Sequence, residues 1–206
     1  MITILKKDFA INKKYIYIAI LYTILFPFAL KLDGGGKTWF MNVLLPLVNV
    51  GIIVGKSCYI EDSQDVKVFL RSLPIRESTI IACRYMEALL ILAITQIYIL
   101  AAQYFLVDDS YTDMMRISWL SVACFLIYFS IYLFLYFWKN YFYAQNSVYV
   151  MIGLFFVIGI LAKNSLDLKI DFPPILSTPF IIIANLIAFL IYGASYKLAK
   201  EKASKA

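Results

Sequence analysis

Long apolar segments separated by short polar stretches run along almost the whole chain. A helix needs roughly 20 predominantly apolar residues to cross the hydrocarbon core of a bilayer. Six segments approach that length, at about 15–32, 39–60, 79–107, 117–138, 147–162 and 174–196. The fifth is the shortest, since its residues extend over only about 24 Å of helix. The pattern therefore predicts an all-α integral membrane protein with six transmembrane helices.

The longest polar stretch separates the second predicted span from the third and runs from Glu61 to Arg84. Within it, apolar residues occupy the i, i+3, i+4 and i+7 positions of one helical face, namely Val66, Phe69, Leu70 and Leu73. Pro74 disfavours helical backbone at the residue that precedes it, which predicts the end of this helix. Because so short a helix cannot cross the bilayer, we expect an amphipathic helix that lies along the membrane surface or docks onto a partner.

The composition is that of a membrane protein. Of the 206 residues, 63% are hydrophobic and 16% are charged, whereas soluble domains are about half apolar and about a quarter charged. We therefore expect a single transmembrane domain over 1–206. Residues 1–14 interleave apolar side chains with lysines, which predicts either an interfacial helix or an ordinary basic flank.

The distribution of basic residues predicts the orientation of the chain in the membrane. An even number of spans places both termini on the same side. Of the 19 lysines and arginines, all but five fall on that side; the five are Lys31, Lys37, Arg116, Lys163 and Lys169. Both termini and the loop 61–78 are therefore expected in the cytoplasm of a multi-pass plasma-membrane protein. The net charge of +6 then reflects topology and attraction to anionic lipid, not binding to nucleic acid.

Polar residues near or within the predicted spans are candidates for functional contacts. Arg84 and Glu87 share a helix face near the start of the third span, and Glu61 ends the second. We expect these three to form a structural pairing at the membrane interface, and a role in coupling is the alternative. Three amides lie at mid-span, where they either join helices by hydrogen bonds or line a cavity: Asn49, Gln96 and Gln103.

Several kinds of chemistry are missing from the sequence. It contains no histidine, which excludes histidine-based triads and histidine metal sites. It has no GxxxxGK[ST] motif, so it cannot bind ATP through a P-loop. No predicted span holds a carboxylate at its centre, which argues against an ion-coupled carrier. We therefore expect a non-catalytic chain without a cofactor or metal of its own, powered by a partner.

The segment Leu70-Arg71-Ser72-Leu73-Pro74-Ile75, preceded by Glu61 and followed by a span that carries Arg84-Tyr85, resembles the ABC-2 type permease family. The resemblance extends over six spans, both termini, the N-terminal amphipathic helix and the short fifth span. It implies an ABC-2 exporter-type fold in which the helix from Gln64 to Leu73 is a coupling helix seated on an ATPase subunit. The implied docking residues are Asp65, Val66, Lys67, Phe69, Leu70, Arg71 and Leu73.

One position departs from the family pattern. Arg76 stands where the family usually has a serine that caps the third span, and Ser78 is the expected substitute.

The resemblance also implies partners. These are an ABC ATPase that holds ATP and Mg²⁺, and a second permease chain that is either identical or different. Within the family, the half-size form looks like the permease subunits of the phenol-soluble-modulin exporters of Gram-positive bacteria, which implies export of amphipathic peptides. Three other interpretations stay open: a vitamin-binding S-component, a peptide-immunity membrane protein and a membrane enzyme. Direct binding to an ATPase would separate the permease from the S-component, and activity without ATP or a partner would favour the enzyme.

Overall fold

The computed structural model describes residues 2–32, 38–72, 76–106, 111–150, 153 and 177–203, and contains no strand among them. The helices are α1 (Ile2–Ile11), α2 (Lys13–Leu32), α3 (Thr38–Asp62), α4 (Gln64–Ser72), α5 (Glu77–Leu106), α6 (Tyr111–Trp138), α7 (141–150 in its described part) and α8 (Thr178–Ala203). The prediction of an all-α protein is confirmed for these residues.

Among the described residues, four helices are long and apolar enough to cross a membrane, over Leu44–Asp62, Glu77–Phe105, Met115–Trp138 and Thr178–Lys202. They correspond to the second, third, fourth and sixth predicted spans. The first predicted span coincides with α2, a 20-residue helix that contains Pro27. Most of the fifth, 147–162, lies outside the described residues. An all-helical membrane architecture is supported, and the number of six spans stays a prediction.

Helix α5 lies at the centre of the described bundle, because it packs against α1, α2, α3, α6 and α8. The most extensive contact between two helices joins α6 to α8. Small buried residues lie at these contacts, including Ala88, Ala123 and Ala188. Small side chains let helix backbones approach closely, which is how membrane helices gain van der Waals contact. A movement of α5 therefore acts on most of the bundle.

The corner between α3 and α4 is a single residue, Ser63. Its carbonyl oxygen accepts a hydrogen bond from the Lys67 amide at 3.0 Å, which makes Ser63 the N-cap of α4. The Lys67 ammonium is 2.6 Å from a carboxylate oxygen of Asp62, and so ties the first turn of α4 back to α3. The amphipathic helix is thus confirmed from Gln64 to Ser72, and Leu73 lies outside the described residues.

The start of α5 corrects one expectation. The helix begins at Glu77, and the amide of Thr79 donates a hydrogen bond to the carbonyl oxygen of Arg76 at 2.8 Å. Arg76 therefore occupies the capping position itself. Ser78 lies inside the first turn, so the expectation that it replaces the capping serine was wrong.

Candidate functional site

A buried arginine forms the centre of the site. Arg84 of α5 is 0% exposed and contacts carboxylates from three helices. Its Nε donates a hydrogen bond to Oε2 of Glu61 at 2.9 Å, and its Nη2 lies 2.6 Å from Oε1 of the same residue. Its Nη1 lies 3.0 Å from Oδ2 of Asp8 and also donates a hydrogen bond to Glu87. We call Asp8, Glu61, Arg84 and Glu87 the ion cluster.

The charges of the ion cluster do not balance within it. Three buried carboxylates surround one guanidinium, and the nearest further cation is the Lys7 ammonium, 3.4 Å from Asp8 and 3.8 Å from Glu61. Burying an ion is costly unless it is paired, and removing one partner of a buried pair costs about 3–5 kcal/mol. The ion cluster therefore holds α1, α3 and α5 together, because separating them would strand charges in the protein interior.

The connection between α1 and α2 is also attached to the bundle beside the ion cluster. Asn12, the residue between these helices, donates a hydrogen bond from Nδ2 to Oγ of Ser57 at 2.7 Å. Ser57 in turn donates to Oε1 of Glu87 at 3.3 Å. Asn12 and Ser57 are both buried. The N-terminal helix is thus attached to the bundle at two neighbouring points, Asp8 and Asn12.

The structure brings together the three residues of the expected pairing, and their position at the membrane interface stays a prediction. Arg84 and Glu87 do share a helix face and Glu61 does meet them, but all three are buried within the protein. The helix that covers them is α1, which contributes Asp8. Sequence reasoning missed Asp8 because a single acid among lysines in a basic flank resembles an ordinary surface residue. The one available signal was its position on a short amphipathic helix.

A cavity of about 130 Å³ separates the ion cluster from α4. Val66 and Leu70 of α4 line one side of it, and Asp8 and Glu61 line the other, together with Lys7, Ile11, Asn12, Ser57 and Ile60. Both α4 side chains are partly buried. The apolar face of α4 is therefore turned toward the chain's own α1 and α3.

The opposite face of α4 is open to solvent. Val68 is 70% exposed and lies near the middle of this face, with Asp65 and Lys67 also exposed. Among the predicted docking residues, Phe69 and Arg71 have helical backbone, and their side chains lie outside the described part. Val68 was missed by the sequence reasoning. The signal for it was an apolar residue placed opposite the stripe of Val66 and Leu70.

The residue after Arg84 connects α5 to the other side of the bundle. The Tyr85 hydroxyl lies 2.7 Å from Oγ of Ser195. The Ser195 hydroxyl donates a hydrogen bond to the carbonyl oxygen of Ser130 at 2.7 Å. The Tyr192 hydroxyl donates to the carbonyl oxygen of Tyr85 at 2.7 Å. Successive residues of a helix point about 100° apart. Arg84 therefore engages α1 and α3, whereas Tyr85 engages α6 and α8.

The three mid-span amides form hydrogen bonds between helices. Asn49 of α3 donates from Nδ2 to Oγ1 of Thr23 at 2.8 Å and of Thr95 at 3.2 Å. The other two bond to α6, with Gln96 donating to Ser121 at 2.8 Å and Gln103 accepting from Ser118 at 3.3 Å. Gln96 also borders a largely apolar cavity of about 290 Å³ between α5, α6 and α8. A role in a substrate cavity stays a prediction for all three.

The described residues contain no group of three or more histidine, cysteine, aspartate or glutamate side chains placed to hold a metal ion. The geometry of the site is instead that of a helical membrane protein in which a short surface helix rests on buried ion pairs at the start of a membrane helix. Such an arrangement suits the membrane component of a transporter.

The chain belongs to the ABC-2 family of transporters, since the family model described as "ABC-2 family transporter protein" matches residues 3–201. No curated protein and no solved structure matches the chain. Membership in this family indicates a membrane protein that is the permease of an ABC transporter and that works with an ABC ATPase. The resemblance to ABC-2 permeases is thereby confirmed at the level of the family.

Proposed function

We propose that this chain is the permease subunit of an ATP-driven exporter and that a separate ATPase subunit supplies the energy. The observation that carries the proposal is the position of α4. One face of this helix is open to solvent, and the other rests against α1 and α3 beside the ion cluster. A force applied to the open face therefore reaches the start of a membrane helix through buried, charged contacts.

The proposed docking surface for the ATPase is the outer face of α4, centred on Val68. An apolar side chain that is 70% exposed on a helix outside the candidate spans gains stability when a partner covers it. Lys67, held by Asp62, and Asp65 would form the charged rim. Interfaces commonly combine such an apolar centre with a polar rim. The family resemblance adds Phe69, Arg71 and Leu73 to the proposed contact with the ATPase.

The proposed transmission runs from α4 into two groups of helices. Displacing α4 pushes on α1 and α3 through the residues that line the shared cavity, and on α5 through the short connection 73–76. The ion cluster makes α1, α3 and the start of α5 move together. Tyr85 passes the movement to α6 and α8 through its bonds to Ser195 and Tyr192. The bundle then changes from an arrangement that is open to the inner side of the membrane to one that is open to the outer side.

The distribution of basic residues indicates which end of the bundle faces the cytoplasm. Tyr85, near the start of α5, stacks on Phe137 near the end of α6 and makes an edge-to-face contact with Tyr196 near the end of α8. The same end of the bundle holds α4 and the basic residues Lys56, Lys139, Lys197, Lys200 and Lys202. The positive-inside rule assigns such an end to the cytoplasm. There α4 would meet the ATPase at the plasma membrane, with both termini on the same side.

The proposed cargo is an amphipathic peptide, moved by two permease chains acting together. The sequence is 17% aromatic, and a cavity of about 210 Å³ between α3, α6 and α7 is lined by Tyr128, Tyr132, Tyr141 and Tyr149. Wide aromatic walls accept apolar side chains of many sequences. The likeness to phenol-soluble-modulin exporters points to the same class of substrate.

Co-purification and transport test the proposal. The tagged chain, extracted from its native membrane, is expected to bring an ABC ATPase with it. Vesicles that contain both subunits are expected to move an amphipathic helical peptide when ATP is added, and not when a non-hydrolysable analogue replaces it. Purification of the chain without an ATPase, or peptide movement that does not need ATP hydrolysis, would contradict the proposal.

A further inference from the structure

Two lysines from different helices converge on one tryptophan. The Lys139 ammonium lies 4.9 Å from the centroid of the Trp138 ring, and the Lys202 ammonium lies 5.8 Å from it. Trp138 is the last residue of α6 and is 46% exposed. Lys202 belongs to the last turn of α8. We call Trp138, Lys139 and Lys202 the lysine clamp.

The positive charge of the lysine clamp has no ion-pair partner among the residues that the structure describes. Within the described residues, neither ammonium has a carboxylate within 4 Å. Other lysines at this end do have one, such as Lys67 with Asp62 at 2.6 Å and Lys7 with Asp8 at 3.4 Å. A cation–π contact at an exposed site is weak and leaves each charge available to an anion. An anion between the two ammoniums would relieve their mutual repulsion.

The lysine clamp also lies where an apolar outer surface ends. Trp138 ends the candidate span of α6, and Lys202 ends the candidate span of α8. Ile191 and Leu198 are exposed on α8 and stand three turns and one turn before Lys202 on the same face. Tryptophan and lysine at this depth sit at the level of lipid headgroups. An anion bound at this place can carry a hydrocarbon chain that packs along the apolar surface of α8.

We propose that the lysine clamp binds the phosphate of an anionic phospholipid, with an acyl chain along Leu198 and Ile191. The two ammoniums act as point charges on the phosphate oxygens, and the Trp138 ring packs against the glycerol region. The site lies where α6 and α8 end, and none of its three residues belongs to α4 or to the ion cluster. The proposal requires only that the chain is embedded in a membrane, and so it stands or falls separately from the proposed export function.

Fluorescence of Trp138 provides the test. The chain contains three tryptophans, so the variant Trp39→Phe, Trp119→Phe leaves Trp138 as the single tryptophan, which is excited at wavelengths that tyrosine does not absorb. The full-length protein is placed in vesicles whose quenching lipid is either brominated phosphatidylglycerol or brominated phosphatidylcholine. Stronger quenching by the anionic lipid measures its preference for the neighbourhood of Trp138. Inorganic phosphate in excess is added to separate samples.

The preference for phosphatidylglycerol is expected to fall about fivefold for each lysine neutralised in Lys139→Gln and Lys202→Gln. The pair Lys139→Arg, Lys202→Arg keeps the charge and is expected to retain the preference. The double variant Lys197→Gln, Lys200→Gln is the matched control, because both lysines are exposed on α8. This variant is also expected to retain the preference for phosphatidylglycerol. Excess inorganic phosphate is expected to leave the preference unchanged.

Three results would overturn the proposal. The first is equal quenching by the two lipids in the protein with all its lysines. The second is an equal loss in the control pair, which would mean that general surface charge attracts the lipid. The third is abolition of the preference by inorganic phosphate, which would assign the site to a free phosphate. If the double variant Lys139→Gln, Lys202→Gln fails to insert into the membrane, the single variants and the arginine pair show whether the two lysines cause the preference for phosphatidylglycerol.

Discussion

Asp8 and Arg84 are far apart in the sequence, but Oδ2 of Asp8 lies 3.0 Å from Nη1 of Arg84. This contact joins a short N-terminal helix to the second turn of the central helix α5. Both side chains are almost completely removed from solvent. The contact therefore makes α1 part of the same unit as the ion cluster, and it supports predictions about stability, local motion and partner binding.

Arg84→Met is expected to lower the free energy of unfolding by about 3–5 kcal/mol, because it leaves three carboxylates buried without their main partner. Arg76→Met is the matched control, since Arg76 is exposed, and its effect is expected to stay within about 0.5 kcal/mol. Equilibrium unfolding in detergent measures both. Equal stabilities of the two variants would show that the ion cluster does not hold the helices together.

Asp8→Ala is expected to loosen α1 selectively. Backbone amides of residues 2–11 should exchange hydrogen faster, because the helix loses its contact with Arg84, while exchange in α6 and α8 stays unchanged. Lys6→Ala removes an exposed charge from the same helix and is expected to have no effect. Hydrogen exchange followed by mass spectrometry distinguishes the two, and uniform acceleration over the whole chain would argue against a local role for Asp8.

Val68→Asp is expected to leave the chain inserted in the membrane but to abolish co-purification with the ATPase. A charged side chain at the centre of an apolar contact costs at least about 2 kcal/mol, which weakens binding about thirtyfold or more. Val68→Ile is the conservative control and should preserve binding.

Phe69→Asp, suggested by the sequence alone, is likewise expected to preserve insertion and to uncouple the ATPase. The two aspartate variants together identify the docking face. Retained binding in Val68→Asp with loss in Phe69→Asp would contradict a docking surface centred on Val68.

Tyr85→Phe and Ser195→Ala each remove one side of the hydrogen bond between α5 and α8. Each is expected to destabilise the protein by about 0.5–1.5 kcal/mol, and the double variant by less than their sum. Transport is expected to fall while ATPase binding persists, because the contact lies beyond α4 in the proposed transmission. Fully additive losses of stability would show that the two groups do not interact.

A cysteine at position 67 reports the side of the membrane on which α4 lies. With the three native cysteines replaced by alanine, Lys67→Cys should react with a membrane-impermeant maleimide only after the cells are opened, because the positive-inside rule assigns this helix to the cytoplasm. A cysteine at Asp113, near the opposite end of α6 from Trp138, is the opposite control. Labelling of position 67 in intact cells would contradict the assigned orientation and the docking of an intracellular ATPase.

The helices themselves followed from the sequence. In a bilayer, every backbone polar group must be satisfied within the protein, so a long apolar segment becomes a helix whatever surrounds it. The predicted spans at 79–107 and 117–138 accordingly coincide with α5 and α6. The amphipathic helix at Gln64 was equally predictable, because its apolar period is a local feature.

What each side chain contacts was decided only by the tertiary structure. Local sequence determines that a helix forms but not how it is rotated about its axis, and α4 carries apolar residues on both faces, with Val66 inward and Val68 outward. Likewise, the sequence pattern of Arg84 and Glu87 resembles that of a surface pair. In the structure, α1 covers both residues and contributes Asp8. The sequence by itself determined the helices and the family, because these depend on local pattern. The fold determined the ion cluster and the open face of α4, because these depend on which helices meet.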